Sequence, residues 1–105
     1  MSLYCDTIIV FLRIIHMLTD SNFHEAKNSI VMFCSDSCAP CKQLSARFDE
    51  IKIPYFKANV DDCPLSAQRY SVRSLPTTIK FDSNMMPKEI IVGAQRDSAY
   101  LGMVG

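Results

Sequence analysis

Residues 29–51, SIVMFCSDSCAPCKQLSARFDEI, contain the junction that decides the fold. The segment 29–35 is mostly apolar, which is typical of a buried central strand. From Cys38 to about Lys52, apolar residues return at steps of three and four, which predicts one buried face of a helix. The residues on that face are Cys41, Leu44, Phe48 and Ile51. The stretch therefore predicts a strand followed by a helix, with a Cys-x-x-Cys motif where the two meet.

The motif Cys38-Ala39-Pro40-Cys41 lies at the start of this predicted helix. Its spacing alone is weak evidence, because five cysteines scattered over 105 residues place some pair three apart in roughly one chain in five. Its position is stronger evidence, because the free N–H groups and the positive dipole end of a helix N-terminus stabilise a thiolate placed there. Cys41 follows one turn later on the apolar face. One exposed, nucleophilic thiol and one shielded thiol are what thiol–disulfide exchange requires.

The rest of the chain alternates between strand and helix patterns. The predicted strands cover 7–18, 53–60, 77–82 and 88–94, of which the last two form a hairpin around the turn SNMMP. The predicted helices run from 19–22 to about 28, from Pro64 to about 71, and briefly from Asp97. The order β-α-β-α-β-α-β-β-α implies an α/β protein with helices on both faces of one sheet. The length fits a single domain over residues 1–105.

The apolar segment 7–18, TIIVFLRIIHML, does not fit a membrane or targeting segment. It is shorter than the roughly 20 residues that a transmembrane helix needs, and it carries Arg13 and His16. It also lacks the basic flank and the small-residue cleavage site of a signal peptide. Its β-branched residues favour a strand over the alternative, a peripheral helix. We therefore expect no membrane partner, and residues 1–12 form either an N-terminal extension or a lengthened first strand.

Charge and cysteine count exclude two further classes of protein. Lys and Arg number 11, as do Asp and Glu, whereas a protein that binds nucleic acid through its phosphates normally has a basic excess. The five cysteines cannot all pair within the chain, and no signal peptide precedes them, which argues against a disulfide scaffold. These features favour a reducing compartment, so we expect a cytoplasmic protein that binds no nucleic acid.

Five segments resemble the thioredoxin family in their order and spacing. They are IIHMLTDSNF, SIVMFCSDSCAPCKQLSARFDEI, YFKANVDDCP, YSVRSLPTTIKF and IIVGAQ, which together extend over about residues 13–101. The resemblance implies a thioredoxin fold with a central mixed sheet and helices on both faces. The C-terminal helix is expected to be shorter than is usual in the family. The resemblance also implies a cis-proline beside the cysteines. The positions that it marks as supporting the active site are Ala39, Pro40, Lys57 and Pro76. Those that it marks as contacting substrate are Ser37, Ser74, Leu75 and Gly93.

The resemblance also implies an activity and partners. Cys38 would attack a protein disulfide and Cys41 would resolve the mixed disulfide, leaving a redox-active Cys38–Cys41 bond. The expected function is protein-disulfide reduction in cell redox homeostasis. The expected partners are proteins that contain a disulfide and a reductase, either an NADPH-linked thioredoxin reductase or a glutathione system. The resemblance implies a monomer with no metal and no organic cofactor.

Several positions depart from the family pattern. Ser37 and Cys34 replace two tryptophans that usually precede the first cysteine, and Met32 replaces a buried aspartate that usually helps to move the proton of the second thiol. The pair between the cysteines is Ala-Pro where the family usually has Gly-Pro. We expect Cys41 to deprotonate more slowly without that carboxyl group, in a site that still functions.

The sequence leaves two other functions open. One alternative is a redox-inactive binding module on the same scaffold. The other is a metal or iron–sulfur protein that uses Cys34, Cys38 and Cys41, although no second Cys-x-x-Cys motif supports it.

Three cysteines lie outside the motif. Cys34 is expected to flank the active site in place of a tryptophan; it is interpreted as an inert buried residue, and the alternative is a thiol that oxidises as a regulatory or alternative partner. Cys63 is expected to be an unremarkable surface cysteine and Cys5 to be incidental.

Overall fold

The computed structural model describes residues 17–104. Within them, strands and helices follow one another in the predicted order. The strands are β1 (Met17–Leu18), β2 (Ile30–Cys34), β3 (Phe56–Asn59), β4 (Thr77–Phe81) and β5 (Pro87–Val92). The helices are a 3₁₀ helix (Phe23–Ala26), α1 (Ala39–Glu50), α2 (Pro64–Arg69) and α3 (Asp97–Leu101). Within residues 17–104, every helix is too short or too polar to span a lipid bilayer.

The strands form one mixed sheet in the order β1-β3-β2-β4-β5. Strands β1 and β2 run parallel to β3, whereas β4 is antiparallel to both β2 and β5. In the parallel ladder, Met32 is paired with Lys57 and Cys34 with Asn59. Because parallel strands end at the same edge of a sheet, the ends of β2 and β3 meet where the chain turns into α1. This edge carries the cysteine motif.

Strand β2 lies at the centre of the core, and its side chains alternate between two hydrophobic clusters. Val31 and Phe33 belong to the cluster that includes the 3₁₀ helix and α2. Met32 and Cys34 belong to the cluster that includes α1 and α3. The sheet therefore has helices on both faces, which confirms the predicted α/β architecture, including its short C-terminal helix.

Two elements differ from the prediction at their boundaries. The predicted strand 53–60 pairs only from Phe56, because Pro54 has no N–H group to donate to a ladder. The first helix is a single 3₁₀ turn, since the Asn22 side chain does not cap it and instead accepts a hydrogen bond from the Thr19 backbone N–H at 2.7 Å. Of the predicted strand 7–18, Met17 and Leu18 are described and lie in β1. The rest of it, with residues 1–12 and Cys5, lies outside the described residues.

The prediction that Cys63 is a surface cysteine is wrong, because its side chain is completely buried. Its thiol donates a hydrogen bond to the Leu18 carbonyl oxygen at 3.1 Å. The carboxylate of Asp20 accepts hydrogen bonds from the backbone N–H groups of Leu65 and Ser66 at the start of α2. Because Asp20 satisfies these groups, the Cys63 side chain is free to turn into the core below. Burial, followed by the charges of nearby carboxylates, raises the pKa of Cys63 to about 11, so this thiol is not activated.

Candidate functional site

Cys38 and Cys41 form a disulfide at the start of α1, with their Cα atoms 5.2 Å apart. Cys38 is the N-cap residue of the helix and has an extended backbone, while Pro40 lies in the first turn, where proline is tolerated. The Cys41 backbone N–H donates a hydrogen bond to Cys38 Sγ at 3.1 Å. The structure therefore places Cys38 at the helix N-terminus, as the sequence predicts.

The two sulfur-bearing residues differ in exposure. Cys38 is half-buried, whereas Cys41 is only 2% exposed and packs with Leu44 and Phe48 in the core. When the pair is reduced, the Cys41 N–H and the dipole of α1 favour a thiolate on Cys38. The first turn of α1 contains no acidic residue that would oppose this effect. The arrangement suits an accessible nucleophile followed by a shielded second thiol.

A loop before β4 forms the second part of the site. The Leu75–Pro76 peptide bond is cis, as the family resemblance implies. Leu75 packs against the core cluster that contains Cys41, and Ser74 is exposed beside it. The Gly93 N–H donates to the Pro76 carbonyl oxygen at 2.8 Å. Gly93 has a φ of 78°, a conformation that suits glycine because it lacks a Cβ atom. The predicted substrate-contact positions 74, 75 and 93 thus belong to one connected loop region.

Ser37 is exposed immediately before Cys38. Its hydroxyl lies 3.5 Å from the hydroxyl of Ser35. Ala39 is also exposed and follows Cys38 at the surface. These positions frame the accessible side of the disulfide.

A cavity of about 160 Å³ lies next to Cys41. The residues that line it are Met17, Cys34, Ser35, Asp36, Cys41, Lys42, Lys57 and Asn59. Lys57 therefore lines the same cavity as the buried cysteine. Among the described side chains, Asp36 is the one carboxylate in this lining.

Cys34 is 6% exposed at the end of β2 and lines this cavity. Burial raises the pKa of its thiol, the positive charge of Lys57 partly offsets that rise, and the negative charge of Asp36 adds to it. A thiol with a raised pKa is a poor nucleophile at neutral pH. This agrees with the expectation that Cys34 flanks the site as an inert residue.

Sequence reasoning missed Asp36 and Asn59. The Asn59 amide donates to Asp36 Oδ1 at 2.9 Å, and Asn59 Oδ1 accepts the Asp61 N–H at 2.9 Å. The sequence places both residues near the ends of predicted strands, 29–35 and 53–60, but it does not say that these strands are neighbours. Only the register of these strands shows that the two ends are opposite each other.

No group of three or more His, Cys, Asp or Glu side chains within residues 17–104 is arranged to hold a metal ion. Cys38 and Cys41 are paired with each other, while Cys34 and Cys63 are free thiols. The structure thus offers no support for a metal or iron–sulfur site built on Cys34, Cys38 and Cys41.

Comparison with known proteins identifies the family. The Thioredoxin family profile matches residues 14–102. The thioredoxin of Rickettsia prowazekii is 32% identical over 101 residues, which cover 86% of this chain and 95% of that protein. The chain belongs to the thioredoxin family.

Other thioredoxins show how far the similarity extends. The M-type chloroplastic thioredoxin of Triticum aestivum is 37% identical over 71 residues, and this chain spans only 40% of its length. A solved structure of Plasmodium falciparum thioredoxin has a TM-score of 0.69 and 24% identity, covering 84% of this chain and 93% of that one. The thioredoxin of Malassezia sympodialis has the same TM-score of 0.69. These structures confirm the fold, and family membership with the Cys38–Cys41 disulfide supports thiol–disulfide oxidoreductase activity.

The residues next to the active site of this thioredoxin depart from the usual family pattern. The residue in place of the usual buried aspartate, Met32, is completely buried. It is paired in the sheet with Lys57. Lys57 makes no ion pair with any other residue of 17–104. Its charge is therefore available to the thiols of the cavity.

Proposed function

We propose that this thioredoxin is a protein-disulfide reductase in which Cys38 is the nucleophile and Cys41 the resolving thiol. The Cys38 thiolate attacks one sulfur of a substrate disulfide, forms a mixed disulfide with it and releases the other sulfur, which takes up a proton. Cys41 then loses its proton and attacks Cys38 Sγ. The Cys38–Cys41 bond forms, the second substrate thiol leaves, and two electrons have passed from the dithiol to the substrate.

The observation that carries this proposal is the inequality of the two cysteines. Cys38 is half-buried and its Sγ accepts the Cys41 N–H at 3.1 Å, whereas Cys41 is 2% exposed. A stabilised thiolate at the surface favours attack on an incoming disulfide. A shielded second thiol favours reaction with the neighbouring mixed disulfide over reaction with unrelated molecules.

The loop before β4 is proposed to bind the substrate chain. Ser74 is exposed, and the backbone of Leu75 makes no hydrogen bond to other described residues, so it can pair with an extended peptide. Pro76 and Gly93 hold the loop in place through the 2.8 Å hydrogen bond between them. Ser37 lies exposed beside Cys38 and completes the proposed contact surface.

The proposed partners follow from the reaction. Substrates are proteins with an accessible disulfide, and the oxidised protein is returned to its dithiol form by an NADPH-linked flavoprotein reductase or a glutathione system. Reduction of protein disulfides in the cytoplasm, as part of redox homeostasis, is the proposed role. The protein is proposed to act as a monomer with one domain over residues 1–105, without a metal or organic cofactor.

The proposal is tested with serine variants of the two cysteines in an insulin reduction assay. Cys38→Ser should abolish disulfide reduction, because no nucleophile remains. Cys41→Ser should accumulate the mixed disulfide, which mass spectrometry without reductant detects. In the reduced wild-type protein, iodoacetamide at mildly acidic pH should modify Cys38 first. Full activity of the Cys38→Ser variant would show that the assignment is wrong.

A matched thiol control is Cys63→Ala, which removes a cysteine on the opposite face of the sheet. It should retain wild-type reduction. The alternative function, a binding module without turnover, predicts that neither active-site variant changes any reduction rate and that Cys38 shows no selective alkylation.

A further inference from the structure

The cavity beside Cys41 contains one carboxylate in a defined position. Asp36 lines this cavity together with Cys41, and its side chain is also exposed to solvent. The Asn59 amide donates to Asp36 Oδ1 at 2.9 Å. Asn59 itself is 7% exposed and accepts the Asp61 N–H at 2.9 Å, so its amide orientation is determined. Asp36 is thereby held at the cavity by a buried partner.

The charges that face the cavity come from each element that surrounds it. Asp36 follows β2, Lys42 lies on α1, and Lys57 lies on β3. Cys34 adds a neutral thiol at the end of β2. The pKa of Cys34 responds to burial first, then to Lys57, which lowers it, and to Asp36, which raises it. The charges of both side chains thus act on a thiol within the cavity.

Cys41 itself needs a proton acceptor that reaches it from this side. Cys41 is 2% exposed, and Met32, which belongs to the same core cluster, is apolar and fully buried. Met32 therefore cannot accept the proton that Cys41 must lose before it attacks. The cavity is large enough for several water molecules at roughly 30 Å³ each, and its polar lining offers them partners.

We propose that Asp36 is the proton acceptor for Cys41 when the mixed disulfide is resolved, acting through water in this cavity. This inference rests on the proposed reductase function. The proton passes from Cys41 Sγ to water and on to the Asp36 carboxylate. The Cys41 thiolate then attacks Cys38 Sγ, and the bond between Cys38 and the substrate sulfur breaks.

The proton held by Asp36 returns to the departing substrate thiolate or to bulk water, so the step needs no external oxidant or reductant. Lys57 and Lys42 stabilise the transient thiolate by their charge. Asn59 acts as a positioning residue, since it orients the carboxylate.

The test separates the two thiol steps with dithiobis(nitrobenzoate) in a stopped-flow instrument. The reduced protein should release a first aromatic thiolate when Cys38 attacks and a second one when Cys41 displaces it. A Cys38→Ser protein measures any release from the remaining cysteines. In Asp36→Asn, the second phase should slow by about tenfold near neutral pH, within reach of general base catalysis through water. The first phase should change much less.

The pH profile distinguishes proton transfer from a structural effect. As the pH rises, hydroxide increasingly takes the proton of Cys41 in place of the carboxylate, so the Asp36→Asn and wild-type rates should converge at alkaline pH. Asp36→Glu, which keeps a carboxylate, should recover most of the lost rate. An equal slowing at every pH would indicate a structural role and overturn the proposal, as would an unchanged second phase.

A charge-matched control is Asp49→Asn, because Asp49 is exposed on α1 and does not line the cavity. It should leave both phases unchanged. Failure of this inference differs from failure of the reductase proposal. If wild-type protein shows no second phase and reduces no insulin, the reductase proposal is wrong. If it does both and Asp36→Asn matches it, only the role of Asp36 is wrong.

Discussion

The Tyr100 hydroxyl donates a hydrogen bond to the Gly93 carbonyl oxygen at 3.0 Å. The same hydroxyl accepts the Gln95 N–H at 2.9 Å, and the Gly93 N–H in turn donates to the Pro76 carbonyl oxygen. Tyr100 is fully buried, and its ring packs edge-to-face against Phe48 of α1 with centroids 4.8 Å apart. The short C-terminal helix therefore connects the loop that carries the cis-proline with the helix that carries the disulfide.

Tyr100→Phe should lower both stability and substrate affinity. The change leaves the Gly93 carbonyl and the Gln95 N–H without their buried partner, which costs about 1–3 kcal/mol of unfolding free energy. The loosened loop should raise KM for insulin more than it lowers kcat. Urea unfolding and steady-state reduction measure these effects. Tyr70→Phe is the control, because its hydroxyl also donates to a carbonyl, that of Met85, but its ring packs on the other face of the sheet from the disulfide. An equal rise of KM in both variants would contradict the prediction.

Asp20→Asn should reduce the acid sensitivity of the fold. Burial raises the pKa of Asp20, but hydrogen bonds from Ser66 and Leu65 outweigh it, and the net pKa lies below the ordinary value of 3.8. A carboxyl group whose pKa is lowered on folding stabilises the protein above its unfolded pKa. That contribution is lost as the pH falls through the folded pKa. The wild type should therefore lose stability below about pH 4 more steeply than Asp20→Asn.

Denaturant unfolding at a series of acidic pH values measures this difference. Asp49→Asn removes the same charge at an exposed position of α1 and should keep the wild-type slope. Parallel pH dependence in all three proteins would show that the hydrogen bonds of Asp20 do not contribute to the acid transition.

Cys63 should resist alkylation in the folded protein. Its pKa of about 11 leaves on the order of one thiolate in a thousand at pH 8. The side chain is also completely buried, so a reagent cannot reach it. Peptide mapping after iodoacetamide should find Cys38 of the reduced protein modified and Cys63 unmodified until denaturant is added. Rapid native modification of Cys63 would mean that α2 opens far more often than this packing allows.

Met32→Asp should change how the reaction rate depends on pH. Met32 is fully buried, paired in the sheet with Lys57 and in the same core cluster as Cys41, so a carboxylate there lies next to a cation and within the cluster that contains Cys41. It should accept the proton of Cys41 and raise the rate of the second thiol step at neutral pH. Burying a polar group costs roughly 1–3 kcal/mol of stability. Met32→Asn carries a similar cost without a titrating group, so the same profile in both variants would count against proton transfer.

Much of the site was predictable because its signals are local. The apolar run of β2, the three- and four-residue periodicity of α1 and the position of Cys38 are properties of neighbouring residues. A helix N-terminus stabilises a thiolate wherever it occurs, so the unequal roles of the two cysteines followed from their order alone. The cis-proline followed from the resemblance to the thioredoxin family and not from any local pattern.

What the sequence by itself determined is therefore the order of strands and helices, the family, and the placement of one cysteine pair. The tertiary structure decided what surrounds that pair. Cys63 became a buried thiol because Asp20, distant in sequence, supplies the hydrogen bonds that α2 needs. Asp36 and Lys57 share a cavity with Cys41 because the register of two parallel strands places Cys34 opposite Asn59. Contacts of this kind depend on how separate elements pack, and no pattern within one element encodes them.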